Sequence, residues 1–174
     1  MKKILAIMLA MMLSLAFMAY AVPSKTTEDM TTIEVEGSTG DDYFYIVPDE
    51  DQELAEQELA KLAEAGEDEY FGEAAEAAKE ALEAEELTTY EFLKVIAGNY
   101  KPEMGDVLVH MSFATPFEEG QKVAVLFGFA AEEEGYEWTA LEGTGNADEG
   151  VDVVIPGDMC QKIQDEGALL ALVG

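Results

Sequence analysis

Apolar side chains alternate with polar ones along much of the chain from Thr88 onward, and this period of two constrains the fold more than any other feature. The alternation is clearest at residues 107–113, 123–129 and 151–155, and a final strand is predicted at 169–173. Gly, Asn, Asp and Pro separate these runs and supply turns. Residues 88–174 are therefore predicted to form an antiparallel, immunoglobulin-like β-sandwich.

Residues 50–86 have a different composition, dominated by Ala, Glu, Leu and Lys, which are among the best helix formers. Ala55, Leu59 and Leu62 follow the spacing of one helical face, and Gly66 is suited to end that helix. A second helix is predicted after Gly66, with a face made mostly of alanine. The whole chain is thus predicted to be mainly β, with an acidic Ala/Glu-rich helical pair as an N-terminal appendage that packs on the sandwich.

The segment between the N-terminal region and the helices, residues 22–49, is rich in Thr, Ser, Gly and acidic residues. Such a composition is typical of a linker. Ile33 and Val35 suggest one short strand, and the aromatic and β-branched residues 43–47 suggest another that ends at Pro48. The prediction for this segment is a linker with one or two short strands.

The first 21 residues have the organisation of a secretory signal peptide. Lys2 and Lys3 precede the apolar run at residues 4–18, and the small-residue cleavage site ends at Ala21. The run is shorter than the roughly 20 apolar residues that cross a bilayer. We therefore expect cleavage after Ala21, no stable membrane insertion afterwards, and a secreted, extracellular protein.

The charge of the chain excludes two classes of partner. With 38 Asp and Glu against nine Lys and Arg, the formal net charge is −29. Nucleic-acid binding depends on basic side chains that neutralise phosphates, so no nucleic-acid partner is expected. Anionic membrane surfaces are disfavoured for the same reason. The one cysteine, Cys160, excludes an internal disulfide.

The residue types needed for nucleophilic catalysis are present but poorly placed. His110 and Ser112 lie on the same face of one predicted strand, where their side chains point in parallel rather than converge. Cys160 has Asp158 and Asp165 nearby, which disfavour a thiolate, and is better explained as a small buried apolar residue. We expect no catalytic residues, and nothing in the sequence indicates a cofactor.

Two further sets of residues are candidates for binding. Asp148 and Asp152 alternate with Asn146 and Gly150, which suggests a cation site, although a β-turn explains the same pattern and no bidentate Glu follows. Tyr136 and Trp138 alternate on one face of a predicted strand and could stack on a sugar ring. The alternative for Trp138 is that its ring fills the core of the sandwich.

Several short motifs resemble the C-terminal module of small secreted proteins from Gram-positive anaerobic gut bacteria. They are YEF at 90–92, NY at 99–100, GDV at 105–107, FATPFEEGQKV at 113–123, WTALEG at 138–143 and LLALV at 169–173, together with EYFG at 69–72. The resemblance covers about residues 50–174. It implies a secreted β-sandwich and transfers no catalytic residues to this chain.

Together these observations favour a secreted, non-enzymatic binding or accessory module whose partner is an extracellular protein or glycan. The abundance of carboxylates leaves two alternatives open. One is a carboxylate-dependent, carbohydrate-active hydrolase, which requires two acidic side chains at a defined separation. The other is a low-affinity cation-binding protein of the cell envelope.

Overall fold

A computed structural model of the protein describes residues 44–132 and 135–174, together with the backbone of Glu34 and Val35. Its eight strands are β1 (Glu34–Val35), β2 (Tyr45–Pro48), β3 (Thr89–Gly98), β4 (Val107–Met111), β5 (Lys122–Ala130), β6 (Tyr136–Gly145), β7 (Val151–Ile155) and β8 (Ala168–Val173). The strands predicted from the period of two are confirmed, and two short strands, β1 and β2, lie in the segment predicted to contain one or two. The predicted signal peptide and its cleavage site at Ala21 lie outside the described residues.

The helices of the described residues are α1 (Glu53–Ala65), α2 (Glu67–Phe71), α3 (Glu73–Leu82) and α4 (Gly157–Glu166), with a 3₁₀ turn at Pro102–Met104. Helix α1 ends at Gly66, as the sequence predicts. The predicted second helix is divided into α2 and α3 because Gly72 adopts a φ of 56°, which glycine tolerates and other residues avoid. None of the helices in the described part of the chain has the length and apolar character needed to cross a membrane.

All eight strands belong to one antiparallel sheet with the order β1-β4-β7-β6-β5-β8-β3-β2. The sheet curls into a half-barrel. The predicted immunoglobulin-like sandwich is not confirmed, because that architecture needs two sheets packed face to face. Alternation shows that a strand has one buried face, but it does not show which strands share a sheet.

The burial of β5 and β8 explains why the strands form a single sheet with both faces covered. Strand β5 is buried at seven consecutive positions, and β8 is buried at all six. Strands covered on both sides are near-continuous apolar runs, whereas the strands of a sandwich keep one polar face. The sequence carried this signal in residues 123–127 and 168–173, where no polar side chain interrupts the run.

The two faces of the sheet pack in separate cores. Alternate residues of six strands fill the concave core, and α4 covers it with Cys160 and Ile163. The convex core lies between the sheet and α1, α2 and α3, with Leu126 and Val173 on the sheet side and Phe71 and Ala75 on the helix side. The helices therefore pack over β3, β5, β6 and β8 on this face, whereas Val154 of β7 remains exposed.

Candidate functional site

A cluster of aromatic rings lies on the convex face, where α2 meets the sheet. The ring centroids of Trp138 and Phe71 are 4.9 Å apart, and those of Trp138 and Tyr70 are 5.8 Å apart. Phe92 and Tyr136 complete the cluster at 5.8 Å and 6.2 Å from Trp138. These separations are typical of favourable aromatic pairs. The cluster holds α2 against β3 and β6.

Glycine is required beneath the Trp138 ring. Gly128 is the cross-strand neighbour of Trp138, and a Cβ atom built on it would lie 2.8 Å from the ring. The absence of a side chain lets the indole lie directly on the backbone of β5. Trp138 is thus fixed between the sheet and α2, which favours the packing explanation for this residue over an exposed sugar platform.

A buried carboxylate joins α1 to the aromatic cluster. Glu58 is 6% exposed, and its two oxygens accept hydrogen bonds from Lys61 Nζ at 2.6 Å and from Tyr70 Oη at 2.8 Å. Burial raises the pKa of Tyr70, and the hydrogen bond to Glu58 raises it further. The phenol therefore stays protonated and donates to Glu58. Both oxygens are committed to contacts that position α1.

Next to the aromatic cluster, a cleft of about 100 Å³ opens between the start of α1 and the sheet. We call it the Tyr136 cleft. Its lining consists of Leu54, Lys94, Gly128, Ala130, Tyr136, Glu166, Gly167, Ala168 and Leu169. Burial raises the pKa of Tyr136, and the charge of Glu58 adds to the shift. The Tyr136 hydroxyl is therefore neutral at physiological pH and can donate a hydrogen bond.

The polar side chains beside the cleft are held by the chain itself. Lys94 Nζ lies 2.7 Å from a carboxylate oxygen of Asp49, and this pairing raises the pKa of Lys94 and lowers that of Asp49. The side-chain amide of Gln52 binds the backbone N–H and C=O of Lys94, each at 2.8 Å. These contacts fix the start of α1 on β3 and so set the width of the cleft.

The entrance of the Tyr136 cleft is unusually apolar for a molecule with this charge. The exposed large apolar side chains of the described residues are Leu54 at 37%, Ile96 at 40% and Val154 at 54%. Leu54 lines the cleft, and Ile96 is next to Gly167, which also lines it. Leu54 is therefore the exposed apolar side chain that lines the opening, where a ligand would remove it from water.

The predicted binding residues Tyr136 and Trp138 do share the convex face, as their spacing indicates. Only Tyr136 reaches the cleft. The other side chains that form it, including Leu54 and Lys94, come from distant parts of the sequence, and no motif links them. Tyr136 is therefore the one lining residue of the cleft that the sequence predicts as a binding residue.

Asp152, one of the two predicted cation ligands, pairs with the only histidine of the chain. The oxygen Oδ1 of Asp152 lies 2.6 Å from His110 Nδ1 and accepts a hydrogen bond from Asn146 Nδ2, also at 2.6 Å. The Asn146 side chain in turn accepts hydrogen bonds from the backbone N–H groups of Asp148 and Gly150. This network shapes the β6–β7 turn, as expected for an Asx motif.

The structure gives no support to a cation site at this turn. Asp148 is exposed, and Asp152 uses one oxygen for both of its hydrogen bonds. Among residues 44–132 and 135–174 there is no group of three His, Cys, Asp or Glu side chains placed to hold a metal ion. The turn interpretation explains every contact of Asp148 and Asp152.

Cys160 is buried within the concave core, where its thiol lies 3.6 Å from the carbonyl oxygen of Ile155. Burial raises the pKa of the thiol to about 12, with a further contribution from the charges of Asp106 and Asp158. The prediction that Cys160 is a small buried residue is confirmed, and Asp158 opposes a thiolate as predicted, whereas the second acidic contribution comes from Asp106 instead of Asp165.

A thiol reagent should therefore reach Cys160 very slowly in the folded protein. A rise of the pKa from 9.0 to about 12 lowers the thiolate fraction at pH 8 by about 1,000-fold. We expect labelling with a chromogenic disulfide reagent to be at least about 1,000-fold slower in buffer than in a denaturant at the same pH. Equal rates in the two conditions would show that the thiol is exposed and ionised.

The same pKa predicts a loss of stability at alkaline pH. Because the folded state holds the thiol proton more tightly than the unfolded state, this stabilisation is complete below about pH 9 and is lost as the pH approaches about 12. The free energy of unfolding, measured with urea, should fall over this interval. The variant Cys160→Ala should show a smaller fall, and an identical fall in both proteins would contradict this assignment.

Comparison of the chain with models of known protein families, with curated proteins and with solved structures gives no match.

Proposed function

We propose that this chain is a secreted, non-enzymatic binding module of the extracellular space and that the Tyr136 cleft holds its ligand. The observation that carries the proposal is an open, mostly apolar cleft with the exposed side chain of Leu54 in its lining. Pockets that bind ligands have this character, with apolar surface and a few polar groups that fix orientation. Tyr136, Lys94 and Glu166 are the polar side chains of this lining.

The chemistry of those polar groups supports binding over catalysis. The pairing with Asp49 keeps Lys94 protonated, whereas a nucleophilic lysine needs a lowered pKa. The raised pKa of Tyr136 likewise favours the neutral hydroxyl over the phenolate. Both groups are suited to donate hydrogen bonds to a ligand without exchanging protons with it.

The size of the cleft defines the first experiment. A volume of about 100 Å³ suits a small aliphatic group, because an apolar cavity that holds benzene is larger, at about 150 Å³. We would titrate the purified, isotope-labelled protein with isobutanol and follow the backbone amide resonances. The expected result is a saturable shift at Leu54, Tyr136 and Ala168.

A cleft-filling variant provides the control. Ala130 is exposed and lies opposite Tyr136 in the β5–β6 pairing, so Ala130→Leu should occupy the cleft without disturbing the core. Thr144→Leu adds an apolar side chain at an exposed position of β6 that does not line the cleft. Saturable shifts should disappear in the first variant and persist in the second. Shifts that are absent in the parent protein, or unaffected by Ala130→Leu, would refute the cleft as a binding site.

Secretion is tested separately. In the producing cells, the protein should appear in the culture medium with Val22 as its first residue, because cleavage is predicted after Ala21. Cell fractionation followed by N-terminal sequencing measures both points. An uncleaved chain that stays in the membrane pellet would disprove the secreted form.

A further inference from the structure

We infer that the Tyr136 cleft binds a basic polypeptide, with the stem of one lysine or arginine side chain in the cleft and its charged head at the Glu166 end. This inference rests on the proposed function and specifies the partner of the same site. Long basic side chains bury their aliphatic stems on apolar surface while the charged end stays in water. The small volume and the apolar lining fit such a stem.

The charges around the cleft favour a cationic partner. Residues 49–65, which form α1 and the residues before it, contain seven carboxylates and one lysine. Residues 157–166, which form α4, contain three carboxylates and one lysine. Lys94, the one basic residue in the lining, is already neutralised by Asp49. A basic segment would therefore meet a negative surface on both sides of the opening.

The C-terminal end of α4 adds to the negative electrostatic potential at the cleft. Glu166 and Gly167 line the cleft at the C-terminal end of this helix. A helix presents the negative end of its dipole there, which favours a nearby cation. No basic side chain occupies the last turn of α4. Glu166 lies 3.6 Å from Lys162, whose ammonium group also lies 4.2 Å from the Phe129 ring centroid.

A second copy of the same chain is a poorer occupant. Two molecules that each carry a formal charge of −29 repel one another, most strongly at low ionic strength. The same repulsion disfavours acidic peptides and anionic lipid headgroups. A basic polypeptide is the class of partner for which both the apolar lining and the surrounding charge are favourable.

Three short peptides separate the contribution of the stem from that of the charge. They are N-acetyl-glycyl-X-glycinamide with lysine, norleucine or glutamate at X, since norleucine keeps an aliphatic stem and lacks the charge. We would measure dissociation constants from amide shifts at Leu54, Tyr136 and Gly167. The lysine peptide should bind about threefold more tightly than the norleucine peptide at about 20 mM NaCl, and the glutamate peptide should bind most weakly.

Salt and matched variants sharpen the test. At about 300 mM NaCl, the difference between the lysine and norleucine peptides should shrink. Glu166→Gln should weaken the lysine peptide by about threefold and leave the norleucine peptide unchanged. Leu54→Thr should weaken both peptides, whereas Val154→Thr, which changes an exposed apolar residue outside the cleft, should affect neither.

The outcomes distinguish this inference from the proposed function. If isobutanol occupies the cleft but the norleucine peptide binds as tightly as the lysine peptide, the cleft is a binding site and the basic partner is wrong. If lysine-peptide shifts survive Ala130→Leu, the peptide binds elsewhere on the acidic surface and the inference is also wrong. If no probe perturbs the lining residues, both proposals are refuted.

Discussion

Replacing Trp138 with alanine is expected to lower the free energy of unfolding by about 3 kcal/mol, because the indole packs against the convex core between α2 and the sheet. Its ring contacts Tyr70, Phe71 and Phe92 and lies directly on Gly128. The cavity left behind would separate α2 from the sheet. Urea denaturation followed by far-ultraviolet circular dichroism measures the change without depending on tryptophan fluorescence.

The neighbouring residue on the same face provides the comparison. Tyr136→Ala removes an aromatic ring that borders the cleft and touches the cluster at one point, at 6.2 Å from Trp138. We expect a loss of about 1 kcal/mol for this variant. If Trp138→Ala costs no more than Tyr136→Ala, the Trp138 ring does not hold α2 on the sheet, and its role as an exposed platform would have to be reconsidered.

Gly145→Ala is the second substitution with a large expected effect, at about 3 kcal/mol of destabilisation. A Cβ atom at this position would overlap the backbone carbonyl oxygen of Glu118. The turn beside it cannot move freely, because Gly145 N donates to Gln121 O and Gly120 N donates to Gly145 O, each at 2.8 Å. The added methyl group must therefore break this pairing or displace the end of β6.

Thr144→Ala is the matched control for that measurement. Thr144 precedes Gly145 on β6, and its side chain is exposed, so its truncation should change the free energy of unfolding by less than about 0.5 kcal/mol. Equal stability of the Gly145→Ala and Thr144→Ala proteins in urea would mean that the turn at residues 118–121 yields to a methyl group at little cost.

Local patterns predicted the elements of the fold well, because each element depends on a few neighbouring residues. The alternation at residues 107–113 and 123–129 gave β4 and β5, and Gly66 gave the end of α1. Which strands pair with each other depends on contacts between residues far apart in the sequence, and an alternating pattern carries no information about those contacts. The uninterrupted apolar runs of β5 and β8 were the local signs of a sheet covered on both faces.

The candidate site was less predictable than the fold. Tyr136 was identified from its spacing with Trp138, yet the cleft forms only because Gln52 fixes the start of α1 on Lys94, 42 residues further along the chain. Leu54 belongs to an amphipathic helix, and it lines the cleft because this contact places the start of that helix on the sheet. The His110–Asp152 pair was missed for a similar reason, since the register of β4 against β7 places the two residues opposite each other.

The position of β8 determines when the chain can fold. This strand spans residues 168–173, yet it lies between β5 and β3 and hydrogen-bonds to both. Until it has been synthesised, β2 and β3 have no connection through the sheet to β4, β5, β6 and β7. The two parts of the sheet can therefore join only after residues 168–173 have left the ribosome.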